Sequence, residues 1–272
     1  MIENPPSFVV RTELHKAAFD NGFRIELGQD SGWLHYRSTT AQGDIWLAAG
    51  SKNGPWFLVV GVDAVATELR LTPIASAVSG SSKPTGTAYS FHAVNELHEA
   101  LDRTYRLGAS LPDGPLKEFL AKTRSIPRTT EAERLVVQRV GQDIFRQALL
   151  KYWDARCPLT GIMDPALLRA SHIVPWAECE TDALRLDVHN GLLLSALWDA
   201  AFDAGLISFD DEGSVLPSPA LTPEAADHLN IRAAVKLKLT EAHRAHLALH
   251  RARNRFPTTS IALYKNKSEG RN

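Results

Sequence analysis

The sequence predicts an α+β protein in two parts, and three observations carry that prediction. Short apolar runs alternate with glycine and proline turns over residues 23–60. A well-capped helix opens after Thr130. Between residues 167 and 205 a strand, a loop, a second short strand and a helix follow one another. Residues 1–125 therefore read as a small α+β domain. Residues 126–272 read as a strand–loop–strand–helix unit, with a leading helix at 130–153 and a basic helix toward the C-terminal side.

In the first part, the spacing predicts a helix over Thr12–Asn21. Strands follow at Phe23–Leu27, Trp33–Tyr36, Ile45–Ala48 and Trp56–Val60, punctuated by Gly28, Gly32, Gly43 and Gly54-Pro55. A second helix is expected over Ala93–Tyr105. The run Ser-Ala-Val-Ser-Gly-Ser-Ser-Lys-Pro-Thr-Gly-Thr-Ala at 76–88 reads as a flexible loop by composition. Soft sequence at Leu107–Pro115 and again at Pro127–Thr130 brackets a boundary near residue 125. Thr130 and Glu133 then form a capping box, and the helix they open should run to Trp153. Leu135, Val136, Val140, Ile144, Leu149 and Trp153 supply its apolar contacts, while Arg139, Gln142 and Arg146 share another face.

Composition removes several classes. Apolar residues make up 44% of the 272 and charged residues 22%, the balance of an ordinary globular chain. No apolar run approaches the roughly 18 residues that span a bilayer, and the first residues lack the layout of a secretory signal. A protein of the cytoplasm is expected. Cys157 and Cys179 are the only cysteines, which excludes a disulfide framework and a four-cysteine zinc site. Cys157 should be a small buried group at the start of a turn.

The net charge of −1 hides a polarity. Residues 231–272 hold ten Lys or Arg against Glu241 and Glu269, and residues 121–230 hold ten basic and sixteen acidic groups. That division suits a chain with cations to bind on one surface and a polyanion on another.

The chemistry concentrates in residues 157–210. Leu167–Val174 reads as a strand with His172 near its end, closed by Pro175-Trp176. Asn190-Gly191 leads into Leu192–Leu194, and a helix runs from Ser195 to Ala204, ending at Gly205. On that helix Asp199 and Asp203 are four residues apart and project from one side. Like charges at this spacing are unfavourable unless a cation compensates, and oxygen donors suit magnesium or manganese. A neutral imidazole and a cation together are what phosphodiester hydrolysis requires.

Four motifs in order are similar to those of the HNH endonuclease family: Cys157-Pro158-Leu159-Thr160-Gly161, Ala170–Trp176, Asn190–Leu194 and Asp199–Gly205. More narrowly, they resemble the restriction-type branch with a C-terminal HNH domain, and Arg139–Arg146 resembles the helix that leads into it. The resemblance covers residues 130–255 and implies a ββα-metal nuclease. It implies that His172 activates water, that Asn190 bonds backbone across the loop to keep the base in register, and that Asp199 and Asp203 are metal ligands for Mg2+ or Mn2+. The metal position just before the base, often aspartate or histidine in relatives, is Ser171 here, a poor ligand. The metal then rests on Asp199, Asp203 and waters, or Asp187 contributes.

Double-stranded DNA is the expected substrate and a homodimer the expected assembly, because cutting both strands takes two sites. Candidate DNA contacts are Arg139, Gln142 and Arg146 on the leading helix, and Arg244 and Arg251 on a basic helix. Its His243, His246 and His250 have a spacing that could suit a metal site, but with Arg244, Arg251 and Arg253 around them a basic DNA-facing helix is the favoured reading. His189 should face water. Residues 1–125 would serve as a recognition or sensor domain, with Trp33 and Trp46 as candidates to stack on an extruded base, although a hydrophobic core is the favoured role for most of its aromatics. A catalytically silent DNA-binding regulator on the same scaffold, and a nuclease acting on RNA or single strands, are the alternatives.

Overall fold

The computed structural model describes residues 2–69, 84–111 and 113–256. It is a mixed helix-and-strand fold, 46% helical and 18% strand, as the α+β reading requires. Contacts divide it into two compact units, Met1–Asp154 with Leu186–Val188, and Ala155–Arg185 with His189–Asn272.

The first unit opens with α1 (Phe8–Asp20) and continues through β1 (Ile25–Asp30), β2 (Trp33–Arg37), β3 (Asp44–Ala49) and β4 (Trp56–Val60). Then come α2 (Asp63–Leu69), β5 (Thr87–Phe91), α3 (Val94–Ser110), α4 (Asp113–Thr123) and α5 (Glu131–Tyr152). The five strands form an antiparallel meander in chain order. Alternation along the strands sorts the side chains. Leu34, Tyr36, Ile45, Leu47, Leu58 and Tyr89 join Leu14, Val65, Leu97 and Leu101 of the helices in the main core. The other parity places Trp33, Ala48, Phe57, Val59 and Ala88 in a smaller cluster, with Trp46 at its margin.

Several expectations are corrected here. Trp33 is 2% exposed, so it has no ring face to offer a base and is a core residue. Ile25 and Leu27 are exposed on the edge strand β1; Phe23, expected within it, is buried ahead of it. The loop expected at 76–88 lies outside the described residues up to 83, and its last two residues belong to β5, where Val60 pairs with Thr87. Both α2 and α4 fall where no element was expected. In α5 the capping box forms as predicted, the Thr130 hydroxyl accepting from the Glu133 N–H at 3.2 Å while the Glu133 carboxylate accepts from the Thr130 N–H at 2.9 Å. The buried side is Val137, Gly141, Ile144, Phe145, Ala148 and Leu149, leaving Leu135 and Val136 exposed. This helix packs on α3 and α4, within the first unit.

The second unit holds β6 (Leu168–His172), α6 (Asp182–Arg185), β7 (Gly191–Ser195), α7 (Ala196–Asp203), β8 (Ile207–Phe209), β9 (Val215–Pro217), α8 (Pro223–Leu229) and α9 (Glu241–Arg253). β6 and β7 pair antiparallel, His172 opposite Gly191 and Ser171 opposite Leu192. The helix α7 packs on both strands, giving the expected strand–strand–helix unit. It stops at Gly205, whose φ of +65° lets the Leu206 N–H reach the Ala201 carbonyl and the Gly205 N–H reach the Phe202 carbonyl, each at 2.9 Å. This is a left-handed helix cap that favours glycine.

A Cβ at Gly205 would also collide with the Asn254 side-chain oxygen. The substitution Gly205→Ala should therefore lower stability by about 1–3 kcal/mol. Urea unfolding reads this as a lower midpoint at unchanged slope; an unchanged midpoint would contradict the assigned strain.

Candidate active site

The loop from Ile173 to Asn190 carries only short helical turns and no strand, so side chains must hold it. Asn190 is fully buried, and its amide is used on both ends. The oxygen accepts from the Val174 N–H at 2.8 Å; the nitrogen donates to the Val174 and Leu184 carbonyls, both at 3.2 Å, and to Cys179 Sγ at 3.4 Å. One side chain thus pins the beginning of the loop to its end.

Arg185 ties the same loop from another side. Its guanidinium donates to the Trp176 carbonyl at 3.2 Å, to Asp182 at 2.9 Å and to the Cys179 carbonyl, and lies 5.8 Å from the Trp176 ring centroid. Its own carbonyl receives His172 Nε2 at 2.9 Å. A carbonyl only accepts, so Nε2 carries the proton and the neutral ring keeps its lone pair on Nδ1. Burial lowers the His172 pKa below its ordinary value, against the carbonyl's opposing pull, so the neutral form prevails near pH 7. The Trp176 ring stands edge-on to the imidazole at 5.8 Å. Arg185 was not anticipated, because nothing in its spacing marks an arginine that works through its own carbonyl.

Ser171 turns the other way. Its buried hydroxyl donates to the Asp199 carboxylate on α7. Asp203, the last residue of the same helix, is exposed as a whole, yet its pKa is raised, first by partial desolvation and then by the charge of Asp199, with Arg253 pulling it down. The structure therefore joins Ser171, Asp199 and Asp203 on one side of β6, and His172, Asn190 and Arg185 on the loop side. Asp187 is half-buried in the stretch 186–188 that clusters with the first unit. Among the described residues no three of His, Cys, Asp and Glu form a metal-holding group. Two carboxylates and a hydroxyl nonetheless fit a hard, water-rich ion such as Mg2+, which takes one or two protein carboxylates and keeps several waters.

The helix α9 supports α7 from behind. The His250 ring stacks on Phe202, centroids 4.0 Å apart and 7° from parallel, accepts from the Ser208 hydroxyl at 3.0 Å and donates to the Phe202 carbonyl at 3.3 Å. His243 and His250 are buried, and His246 bonds the His189 carbonyl at 3.0 Å, so the histidine side of α9 faces protein rather than a DNA partner. His189 is half-buried, its ring edge-on to His243 at 5.1 Å, not turned to water. Arg251, only 17% exposed, donates to the Phe209 carbonyl and to Asp211, both at 2.7 Å. It is a tie to β8 and its turn, which corrects its placement as a DNA contact. Arg244 gives its Nε to the Asp211 carbonyl at 2.8 Å and Nη1 to Glu241 at 3.3 Å. Arg139 and Gln142 are exposed on α5 and Arg146 is half-buried there. Trp46 is half-buried and stacks on His35, centroids 4.6 Å apart. Cys157 is buried at a turn closed by the Gly161 N–H on the Cys157 carbonyl at 2.9 Å.

A pinned strand–loop–strand with a carboxylate-bearing helix behind it defines a ββα unit with an imidazole on one side and acids on the other. Residues 157–210 match the family model for HNH endonuclease, so the C-terminal part of the chain carries an HNH endonuclease domain. The match supports a nuclease function and implies a nucleic-acid substrate; HNH domains in general use a divalent metal ion. A comparison with curated proteins finds no match. No helix among the described residues is long and apolar enough to cross a membrane.

Two predictions follow from the supports of this site. Asn190→Ala strands one N–H and two carbonyls in the interior and should cost about 3 kcal/mol, measured by urea unfolding; a loss below about 0.5 kcal/mol would show that the loop holds without the amide. Burial lowers the His250 pKa from 6.5 to about 4. The unfolded chain therefore takes up a proton before the folded one does, and stability should fall as pH drops from 6.5 toward 4, by up to about 3 kcal/mol in all. His250→Gln should flatten that part of the stability–pH curve, and an equally steep curve in the variant would rule out this histidine as the source.

Proposed function

We propose that the chain is a metal-dependent DNA endonuclease of the restriction or defence type, cutting double-stranded DNA as a homodimer in the cytoplasm. In this reading residues 126–272 form the nuclease part and residues 1–125 a recognition or modification-sensing part. The observation that carries the reading is the fixed tautomer of His172, its Nε2 proton engaged by the Arg185 carbonyl within a loop pinned by Asn190.

His172 acts as general base. Nδ1 takes a proton from water as the water oxygen bonds to phosphorus; the bond from phosphorus to the departing oxygen breaks, and that oxygen is protonated from solvent. Asn190 and Arg185 keep the imidazole in place through this transfer. Asp199 and Asp203 would hold the Mg2+ or Mn2+, with Ser171 fixing Asp199 rather than supplying a third charged ligand. When bound, the ion offsets negative charge on the phosphorane and the departing oxygen. β6 ends at His172, and in this reading one phosphate at the strand's end would have to meet both the imidazole and the acidic side. Arg139, Gln142 and Arg146 would contact the DNA backbone, and Trp46, stacked on His35, remains the aromatic of the first unit suited to a base.

The serine at position 171 favours one second reading, a nucleic-acid-binding regulator that does not cleave. Digestion of duplex, single-stranded, RNA and cytosine-modified substrates with Mg2+ or Mn2+, and with EDTA as control, separates the readings. Cutting should require the metal, and His172→Ala should lower the rate by about 100-fold or more while leaving binding intact. Cutting by His172→Ala at the wild-type rate would remove this residue as the base; binding without cutting by the unaltered protein would select the regulator.

A further inference from the structure

The cations of α9 differ in what their donors do. Arg251 and Arg244 are committed to the Asp211 region, as described. Arg253, one turn past His250, uses only Nη1, which bridges both oxygens of Glu178 at 3.2 Å. Its Nε and Nη2 have no partner among the described residues, and the side chain is 35% exposed. Its position is fixed from behind, because His250 is stacked on Phe202, the Asn254 amide donates to the His250 carbonyl at 3.0 Å, and Asn254 lies against Gly205. These contacts dock the C-terminal end of α9 on that of α7, so the guanidinium is delivered to the acidic side of the site. Glu178 belongs to the loop that follows His172.

We propose that Arg253 is a phosphate-binding residue of this site, its uncommitted guanidinium nitrogens receiving a nucleic-acid phosphate while Glu178 holds it ready in the free protein. The inference rests on the nuclease reading for the identity of the ligand, but not on cleavage. A planar fork with two nitrogens available suits bidentate contact with phosphate. Its charge already acts on Asp203 and offsets part of the repulsion between the two aspartates. A lone cation so close to carboxylates would ordinarily be consumed by them. Here Glu178, 57% exposed, is a solvated partner that a phosphate can displace at small cost.

The test is binding of short fluorescein-labelled duplex and single-stranded DNA in EDTA, by anisotropy across a salt series, so that no cutting intervenes. Arg253→Gln should weaken binding about tenfold at low salt and reduce the salt slope by about one. Glu178→Gln should tighten binding, and the tightening should vanish in the double variant. An Arg253→Gln protein with wild-type melting temperature, affinity and salt slope overturns the proposal. If Arg253→Gln does not fold, an unchanged affinity in Glu178→Gln overturns it instead. A wild-type protein that binds neither DNA overturns it too. A protein that shows the Arg253 dependence yet cuts nothing with metal keeps this proposal while the nuclease reading fails.

Discussion

The buried amide of Asn190 is the constraint on which the site depends. A loop between two short strands must either satisfy its backbone groups within the protein or leave them to water. Here one amide takes the Val174 N–H and gives to the Val174 and Leu184 carbonyls. With the loop closed this way, the carbonyl of Arg185 comes to His172 and fixes which ring nitrogen carries the proton. An asparagine is suited to this because it accepts on one atom and donates on the other; aspartate would present two acceptors to two carbonyls, and glutamine would add a methylene in a fully buried place.

Much of the fold was legible because its signals are local. The capping box at Thr130 and Glu133, the glycine ending α7 and the short apolar runs of β2, β3 and β4 between glycine turns are read within a few residues. The ordered motifs from Cys157 to Gly205 also led to Asn190, whose role in closing the loop follows from its burial and partners. What was misread has a common cause. Helical spacing places His243 and His250 on one side of α9 but does not say which side faces the core, and surrounding arginines suggested the wrong one. Counting charge likewise treats Arg251 as available, although its donors are taken by Phe209 and Asp211 within the protein. Trp33 and Trp46 lie on the same parity of neighbouring strands, yet one is buried and the other half-buried, a difference set by packing that the strand pattern does not contain. Residues 87 and 88 read as loop because the composition around them is glycine- and serine-rich, and only pairing with β4 makes them strand.

Arg185 shows a different limit. Its side chain organises the loop while its backbone carbonyl holds the His172 imidazole, and neither task requires a recognisable spacing. Such residues emerge only from asking where each polar group of the loop finds its partner. The same question separates Arg253 from its neighbours on α9, since three arginines of one helix differ not in type or spacing but in which of their nitrogens are already engaged.

The two aspartates of α7 share a helix face but not an environment. Asp199 stands in the first turn, where the helix dipole favours an anion, and it receives the Ser171 hydroxyl. Asp203 is the last residue of the helix, where the dipole is unfavourable, and both desolvation and Asp199 act against its charge. The serine at 171 therefore does more than replace a ligand: it satisfies the carboxylate that is already better placed and leaves the unmet demand for positive charge at Asp203. Arg253 answers part of that demand, and a divalent ion drawn to the pair would answer the rest. On this argument α9 is not an accessory to the ββα unit, because the helix that backs α7 through His250 is also the one that brings a cation to its less stable acid.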